Sequence, residues 1–407
     1  MKIISKKFML ILFCTLIAIA IATELLINLP AFGKLPSGER LRRIEASPHY
    51  KKGAFRNEMP TVMMTSGSDD GAGIDSVVVV KGSFGSRLRM VRKFLFGKKP
   101  AGLRPSSPMP VVKTDLRGLD PSENMIVWFG HSSYLIQIDG KRILVDPVFF
   151  KASPVSFLNR AFPGTKIYKP EDMPDIDYLV ITHDHWDHLD YKTVKRLRHR
   201  VGTVVCPLGV GADLEYWGYQ PDKIKEMDWY EDYPESKVAS GSETTIGSSK
   251  VPAELEEEDA RTKVASLSFV FHCLPTRHFS GRGLSANKTL WASYLLETPS
   301  MKIFIGGDGG YDKRFSTIGK RYPGIDLAIL ENGQYNKNWR YIHTMPEYLD
   351  REVHEIGAAS VMTVHHSKYA LSRHPWDEPL KNELKLAQDT SIHVLIPTIG
   401  KPISIGK

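Results

Sequence analysis

Tyr178-Leu179-Val180-Ile181-Thr182-His183-Asp184-His185-Trp186-Asp187-His188 is the stretch on which the reading of this chain turns. An apolar, β-branched run ends in four potential metal ligands within six positions. Alternation along an extended chain sets His183 and His185 on one side. The chain then turns and offers Asp187 and His188 to a neighbouring position. Imidazole nitrogen with carboxylate oxygen suits zinc, and can also hold iron or manganese. Asp190 follows as the N-cap of a helix that opens Tyr191-Lys192-Thr193-Val194-Lys195-Arg196-Leu197. A polar strand-to-helix loop rich in histidine is the alternative; four ligands in so short a span argue against it.

The stretch resembles the HxHxDH signature of the metallo-β-lactamase superfamily, and the likeness extends over about residues 125–400. It implies an α/β fold of the αββα type, two sheets face to face with helices outside. It also implies three more ligands from later loops, and each has a candidate where an apolar strand runs out. His278 lies in Pro275-Thr276-Arg277-His278-Phe279, Asp308 in Gly306-Gly307-Asp308-Gly309-Gly310, and His365 follows Val361-Met362-Thr363-Val364. Within the superfamily the chain is most similar to the group containing N-acyl-phosphatidylethanolamine-hydrolysing phospholipase D and the ascorbate-phosphate lactonases. Trp128-Phe129-Gly130-His131-Ser132-Ser133, Leu144-Val145-Asp146-Pro147-Val148-Phe149, Thr289-Leu290-Trp291-Ala292-Ser293-Tyr294 and Val364-His365-His366-Ser367-Lys368-Tyr369 carry that similarity. By register it prefers His365 over His366.

The resemblance implies two zinc ions per chain, with iron or manganese as substitutes. The first would be bound by His183, His185 and His278, the second by Asp187, His188 and His365, with Asp308 bridging. A hydroxide shared by the metals would then attack phosphorus or a carbonyl carbon, so that Asp187 and Asp308 count as catalytic. His343 stands where the phospholipase group has an active-site histidine. His131 and Asp146 recur near the site and would orient ligands through hydrogen bonds, or serve as structural polar contacts. Asp184 is structural or orienting. Arg277, Arg282 and Lys368 can meet an anionic substrate or be ordinary basic residues, and Trp186 can line the cleft or pack. No serine or cysteine is placed to act as a nucleophile. Three readings of function are open: a zinc phosphodiesterase with a small-molecule or lipid phosphodiester substrate; a hydrolase of lactones or other carbonyl esters; and a non-catalytic membrane-associated binding protein.

The chain has 407 residues, 42% hydrophobic and 25% charged, the balance of a folded protein with a large core. Net charge is +8, much of it local, so no nucleic-acid partner is expected. Residues 1–29 read as a signal peptide or membrane anchor. Lys2, Lys6 and Lys7 precede an apolar run from Phe8 to Ala22, with Ala20-Ile21-Ala22 as a cleavage site in the first case. In the second case Leu25 to Leu29 extend the span past Glu24, at a cost of about 2.5–3.5 kcal/mol if that charge lay at the centre. Either way the N-terminus stays cytoplasmic until any cleavage, and the catalytic body is exported, anchored or secreted, to the periplasmic or extracellular side. Three cysteines are too few for a disulfide framework.

Residues 30–124 read as an extension before a catalytic domain at 125–407. Within the extension, 65–73 is a linker by composition. Arg87 to Arg104 reads as a short basic helix, either resting on anionic lipid or packed with a solvated face. Ser236 to Ala265 reads as an inserted loop. Strands are expected at 126–129, 134–138, 141–145 (through the turn Asp139-Gly140), 203–206, 267–271, 302–305, 326–330, 361–364, 391–396 and 402–405. Thr344 and Glu347 predict a capping box that opens a helix towards Ile356.

Overall fold

Strands Met125–Trp128 and Tyr134–Ile138 are buried at every position, which an isolated sheet with one wet face cannot achieve. Both faces of the sheet are therefore covered. The computed structural model describes residues 6–65, 92, 97, 100–154, 159–234 and 269–406.

The chain begins with helix α1 (Lys6–Ile27), a helix α2 (Gly38–Ala46) and a hairpin of β1 (Tyr50–Lys51) and β2 (Ala54–Phe55). Strands β3 (Met125–Trp128), β4 (Tyr134–Ile138), β5 (Lys141–Val145), β6 (Ile176–Val180), β7 (Val201–Pro207) and β8 (Ile224–Met227) come next. The second group is β9 (Asp232–Pro234), β10 (Val270–Leu274), β11 (Ser293–Glu297), β12 (Lys302–Ile305), β13 (Leu327–Glu331), β14 (Ser360–Val364) and β15 (His393–Leu395). A last strand, β16 (Pro402–Ser404), returns to the first sheet. The sheet orders are β16-β3-β4-β5-β6-β7-β8 and β15-β14-β13-β12-β11-β10-β9. In the first, pairing is antiparallel from β16 to β5 and parallel from β5 to β8. The second repeats the scheme, antiparallel from β9 to β12 and parallel onward to β15.

The two-residue period of these strands divides their side chains between two cores. Ile126, Trp128, Ile136 and Val180 of the first sheet meet Phe271, Tyr294, Ile303 and Met362 of the second in one inner core. Val127, Leu135, Leu179 and Val204 turn outward onto Val194 and Leu197 of helix α3 (Tyr191–Leu197) and Leu214 of α4 (Gly211–Tyr216). On the far side Leu295, Phe304, Ala328 and Val361 pack on α5 (Arg314–Arg321), α6 (Pro346–Ile356) and α7 (Glu378–Leu386). Helices, sheet, sheet, helices: the αββα sandwich is built layer by layer. Ile44 of α2 and Phe55 of β2 enter the inner core, so residues ahead of 125 pack into the body.

Most expected strands are found within a residue or two of their bounds. Asp139 and Gly140 both have positive φ (48° and 74°), as a tight hairpin turn that matches strand twist requires. Asp190 caps α3 by accepting from the Lys192 amide and the Thr193 hydroxyl. The strand before His278 runs Val270–Leu274, past the expected end at 271, and positions 267–268 lie outside the described residues. The capping box is corrected. Pro346 sets the first turn of α6, and the N-cap position belongs to Met345. Thr344 Oγ1 instead lies 2.9 Å from the Gly309 carbonyl and 2.6 Å from Glu352 Oε1. Burial holds the Glu352 carboxyl well above the usual range, so Glu352 keeps a proton to give while Thr344 donates to Gly309. The expected basic helix at 87–104 falls mostly, and the loop at 236–265 wholly, outside the described residues.

Trp291 is fully buried in the inner core, and its Nε1 donates to the Thr276 carbonyl at 2.8 Å. Trp291→Ala is expected to cost about 3–5 kcal/mol in urea denaturation. A loss below about 1 kcal/mol would show that the two sheets are not closed over this ring.

Candidate metal centre

Five loops bring the site together at one edge of the sandwich. His183 to His188 follow β6, His278 follows β10, Asp308 follows β12, Glu331 ends β13 and His365 follows β14. Strands β12, β13 and β14 are parallel neighbours, so their C-terminal ends emerge side by side. Asp308 can reach inward because its glycines admit close backbone approach. Gly307 has φ +61°, and a Cβ on Gly310 would lie 2.4 Å from the Tyr341 backbone.

The carboxylate of Asp308 occupies the middle. Its Oδ2 lies 3.2 Å from Nε2 of both His188 and His365, 3.8 Å from that of His278 and 3.9 Å from that of His183. On one side, His185 Nδ1 is 3.0 Å from His183 Nε2 and 3.2 Å from His278 Nε2. On the other, Asp187 Oδ2 is 2.9 Å from His131 Nε2, 3.3 Å from His365 Nε2 and 3.7 Å from His188 Nε2. All seven residues expected as ligands are thus brought together. His183, His185 and His278 form one group with the geometry to hold a cation, and Asp187, His188, His365 and His131 form a second. His131, expected to orient ligands or to serve as a structural polar contact, lies as close as they do.

Hydrogen bonds behind the rings fix which nitrogen faces inward. Asp146 Oδ2 takes the Nδ1 side of His188 at 2.7 Å and also accepts from the Thr182 hydroxyl at 2.6 Å. His278 Nδ1 donates to the Ile342 carbonyl at 2.7 Å. His188 Nε2 and Asp308 Oδ1 are then left buried with no hydrogen-bond partner among the described residues. Such orphaned atoms cost about 1–3 kcal/mol each unless something binds them. A divalent cation fits that need and the donor set.

Protonation differs between the two environments. Burial, then the neighbouring imidazoles, holds His183 well below the ordinary histidine range; burial acts likewise on His278. Burial and the His365 charge bring His131 down to about 3. Burial opposes a charge on His365 too, but Asp308 outweighs it with Asp187 and Glu331, raising His365 to about 10. His188 is raised in the same way by Asp308, Asp187 and Asp146 against its burial. A cation would exchange for those protons.

His343 joins the site. Its Nδ1 is 2.6 Å from Glu331 Oε1, and its ring stacks on His365 with centroids 5.4 Å apart. His366 points away, with Nε2 3.1 Å from Glu383 and its ring against Trp128. Arg277, Arg282 and Lys368 do not meet a substrate, because all three are buried and spent on backbone carbonyls. Arg277 bonds Pro60, Arg282 bonds Asp184 and Leu189, and Lys368 bonds Phe129 and Val148. The Asp184 carboxylate accepts from the Gly281 amide and the Thr289 hydroxyl, which makes it a structural tie.

Two residues escaped the sequence reading. Glu331 approaches His343 and His365 and accepts from the Gly309 amide at 2.7 Å. Its signal was available: it closes an apolar strand, as the other loop ligands do. Asn57 brackets His278, with Nδ2 2.7 Å from its carbonyl and Oδ1 3.1 Å from its amide. No local pattern marks an asparagine 221 positions upstream.

A family model described as the beta-lactamase superfamily domain matches residues 141–366, more than half of the 407. The chain belongs to the metallo-β-lactamase superfamily. An uncharacterised protein of Mycobacterium tuberculosis is 34% identical over 364 residues, covering 88% of this chain and 85% of that one. The N-acyl-phosphatidylethanolamine-hydrolyzing phospholipase D 1 of Caenorhabditis elegans is 28% identical over 277 residues, 64% of this chain and 69% of its own. The outer membrane protein RomA of Klebsiella pneumoniae is 48% identical over 101 residues, 25% of this chain and 76% of its own.

Asp146→Ala strips His188 and Thr182 of a buried partner. In protein freed of metal by chelation it is expected to cost about 3–5 kcal/mol in urea denaturation, as broken buried pairs do. An unchanged midpoint would mean that Asp146 does not hold His188.

Proposed function

We propose that this metallohydrolase of the β-lactamase superfamily is a di-zinc phosphodiesterase acting on a lipid or other phosphodiester. The observation that carries the reading is one carboxylate oxygen, Asp308 Oδ2, lying within 3.9 Å of four imidazole nitrogens. His183, His185 and His278 would hold one cation and Asp187, His188 and His365 the other, with Asp308 between the two groups as a ligand available to both. Such a pair supplies Lewis acidity, bringing the pKa of water towards neutrality and offsetting charge on the phosphoryl oxygens. Glu331 fixes the His343 ring through Nδ1, so that Nε2 is free to hold a proton beside a substrate oxygen. Hydrolysis forms one oxygen–phosphorus bond from water and breaks one ester bond, and the departing oxygen takes a proton. His343 is the chain's candidate to supply it.

The likeness to the nematode phospholipase supports a phosphodiester as substrate over a carbonyl ester. In this reading residues 125–407 are the catalytic domain, 30–124 an extension, and 1–29 a signal or anchor that places the body on the periplasmic or extracellular side. The apolar helix α1 and the likeness to an outer membrane protein support the last point.

Elemental analysis of the purified protein is expected to give about two zinc ions per chain, with turnover of bis-para-nitrophenyl phosphate and none of a simple lactone. Asp308→Ala is expected to lose most of the metal. Its turnover should fall by more than the roughly 10–100-fold that loss of an outer-shell partner costs. A variant that keeps both metals and rate would remove Asp308 from the centre. A lactone turned over in preference to the diester would replace the substrate class.

A further inference from the structure

Helix α1 lies outside every packed layer: none of the apolar window within Lys7–Ile27 is buried. Its 22 residues reach about 33 Å, close to the roughly 30 Å hydrocarbon core of a bilayer. The segment that leaves this helix is tied to the body by several bonds. Trp217 Nε1 donates to the Pro30 carbonyl at 2.7 Å, Arg282 Nη2 to the Ala31 carbonyl at 2.9 Å, and the Lys34 amide to Asp213 Oδ1 at 2.7 Å. Phe32 meets the Trp186 ring edge-on, with centroids 4.9 Å apart. Gly33 has φ +78°, and a Cβ there would lie 1.8 Å from Asp213 Oδ1, so glycine is what lets the chain turn in.

Arg282 links this tether to the ligand loop. Its Nη1 donates to the carbonyls of Asp184 at 2.8 Å and Leu189 at 2.7 Å, which flank His185 to His188. Its guanidinium lies over the rings of Trp186 and Trp217, 4.2 and 5.3 Å from their centroids. Of the seven candidate ligands, only His185 and Asp187 keep partial exposure, and Trp186 between them carries Phe32. The opening of the cluster and the tether therefore share an edge. Three residue steps separate Ile27 from Pro30, a reach of at most about 11 Å. Leu29, Leu35 and Leu284, on the tether and on the loop of Arg282, are 49%, 61% and 78% exposed, with Lys34 beside them. Apolar residues rimmed by a lysine suit a membrane interface.

We propose that Pro30–Lys34 is a docking clamp that holds the opening of the cluster against the bilayer in which α1 lies, so that the site draws its substrate from that membrane. The substrate part rests on the phosphodiesterase reading; the placement does not.

The test uses full-length protein in phosphatidylcholine vesicles, with Cys14→Ser and a bimane label on Leu284→Cys. Lipids carrying a nitroxide at the headgroup are expected to quench the label. Inserting about ten Gly/Ser residues between Asn28 and Leu29 keeps the clamp docked but adds roughly 18 Å of reach. That insertion is expected to lower both the quenching and the hydrolysis of vesicle phospholipid severalfold, and to leave hydrolysis of soluble bis-para-nitrophenyl phosphate unchanged. No quenching in the parent, or equal quenching and lipid rate after insertion, overturns the placement. Quenching without turnover of either diester upholds the placement and overturns the phosphodiesterase reading.

Discussion

Five imidazoles and two carboxylates packed into a largely buried edge of the sandwich are an electrostatic problem, and the surrounding structure is arranged around it. Burial pulls the pKa of His183 and His278 down, while Asp308 and Asp187 push those of His188 and His365 up against their burial. Ring nitrogens 3.0–3.2 Å apart with no room for a proton on each have little reason to converge for stability alone. Removing polar partners from water is costly unless they are matched, and two atoms at the centre have no hydrogen-bond partner among the described residues. Cation binding resolves both costs together, which is why the cluster makes chemical sense as a di-metal centre.

The backbone is bent to serve that centre. His131, Asp146 and His365 all have positive φ, at 56°, 41° and 70°, although none is glycine. Each such residue carries strain of about 1–3 kcal/mol and persists only where the surroundings dictate it. Here they do: the His131 amide donates to the His366 carbonyl, and the His365 amide to the His131 carbonyl. The loops after β3 and β14 thus lock one another, and Lys368 fastens the first of them to the Val148 carbonyl. Its stem lies against Gly130, where a Cβ would come 3.2 Å from Lys368 Cβ. Burial brings the Lys368 amine down to about 7, and its donation to carbonyls holds two site loops, a different task from receiving an anionic substrate.

Much of this was legible in the sequence, for definite reasons. The run ending at Val180 followed by His183, His185, Asp187 and His188 is a local pattern, and so are the glycines around Asp308. Strand ends could be read because each ligand follows an apolar run. Glu331 obeys the same rule, but a glutamate closing a strand is common and does not by itself mark a ligand. Asn57, Arg282 and the docking of Phe32 on Trp186 depend on pairings 221, 98 and 154 positions apart, which no periodicity reports. Thr344 shows the converse: its local motif was genuine, but a buried Glu352 and the Gly309 carbonyl offered better partners than the helix end. Local propensity yields where tertiary contacts are stronger.

The central claim is that the cluster holds two cations with nitrogen and oxygen donors around a shared aspartate. X-ray absorption at the zinc edge of the zinc-loaded protein addresses it directly. The account predicts a first shell of nitrogen and oxygen only, with a metal–metal vector at about 3.5–4 Å. Sulfur in that shell, or a single zinc with no metal neighbour, would contradict it.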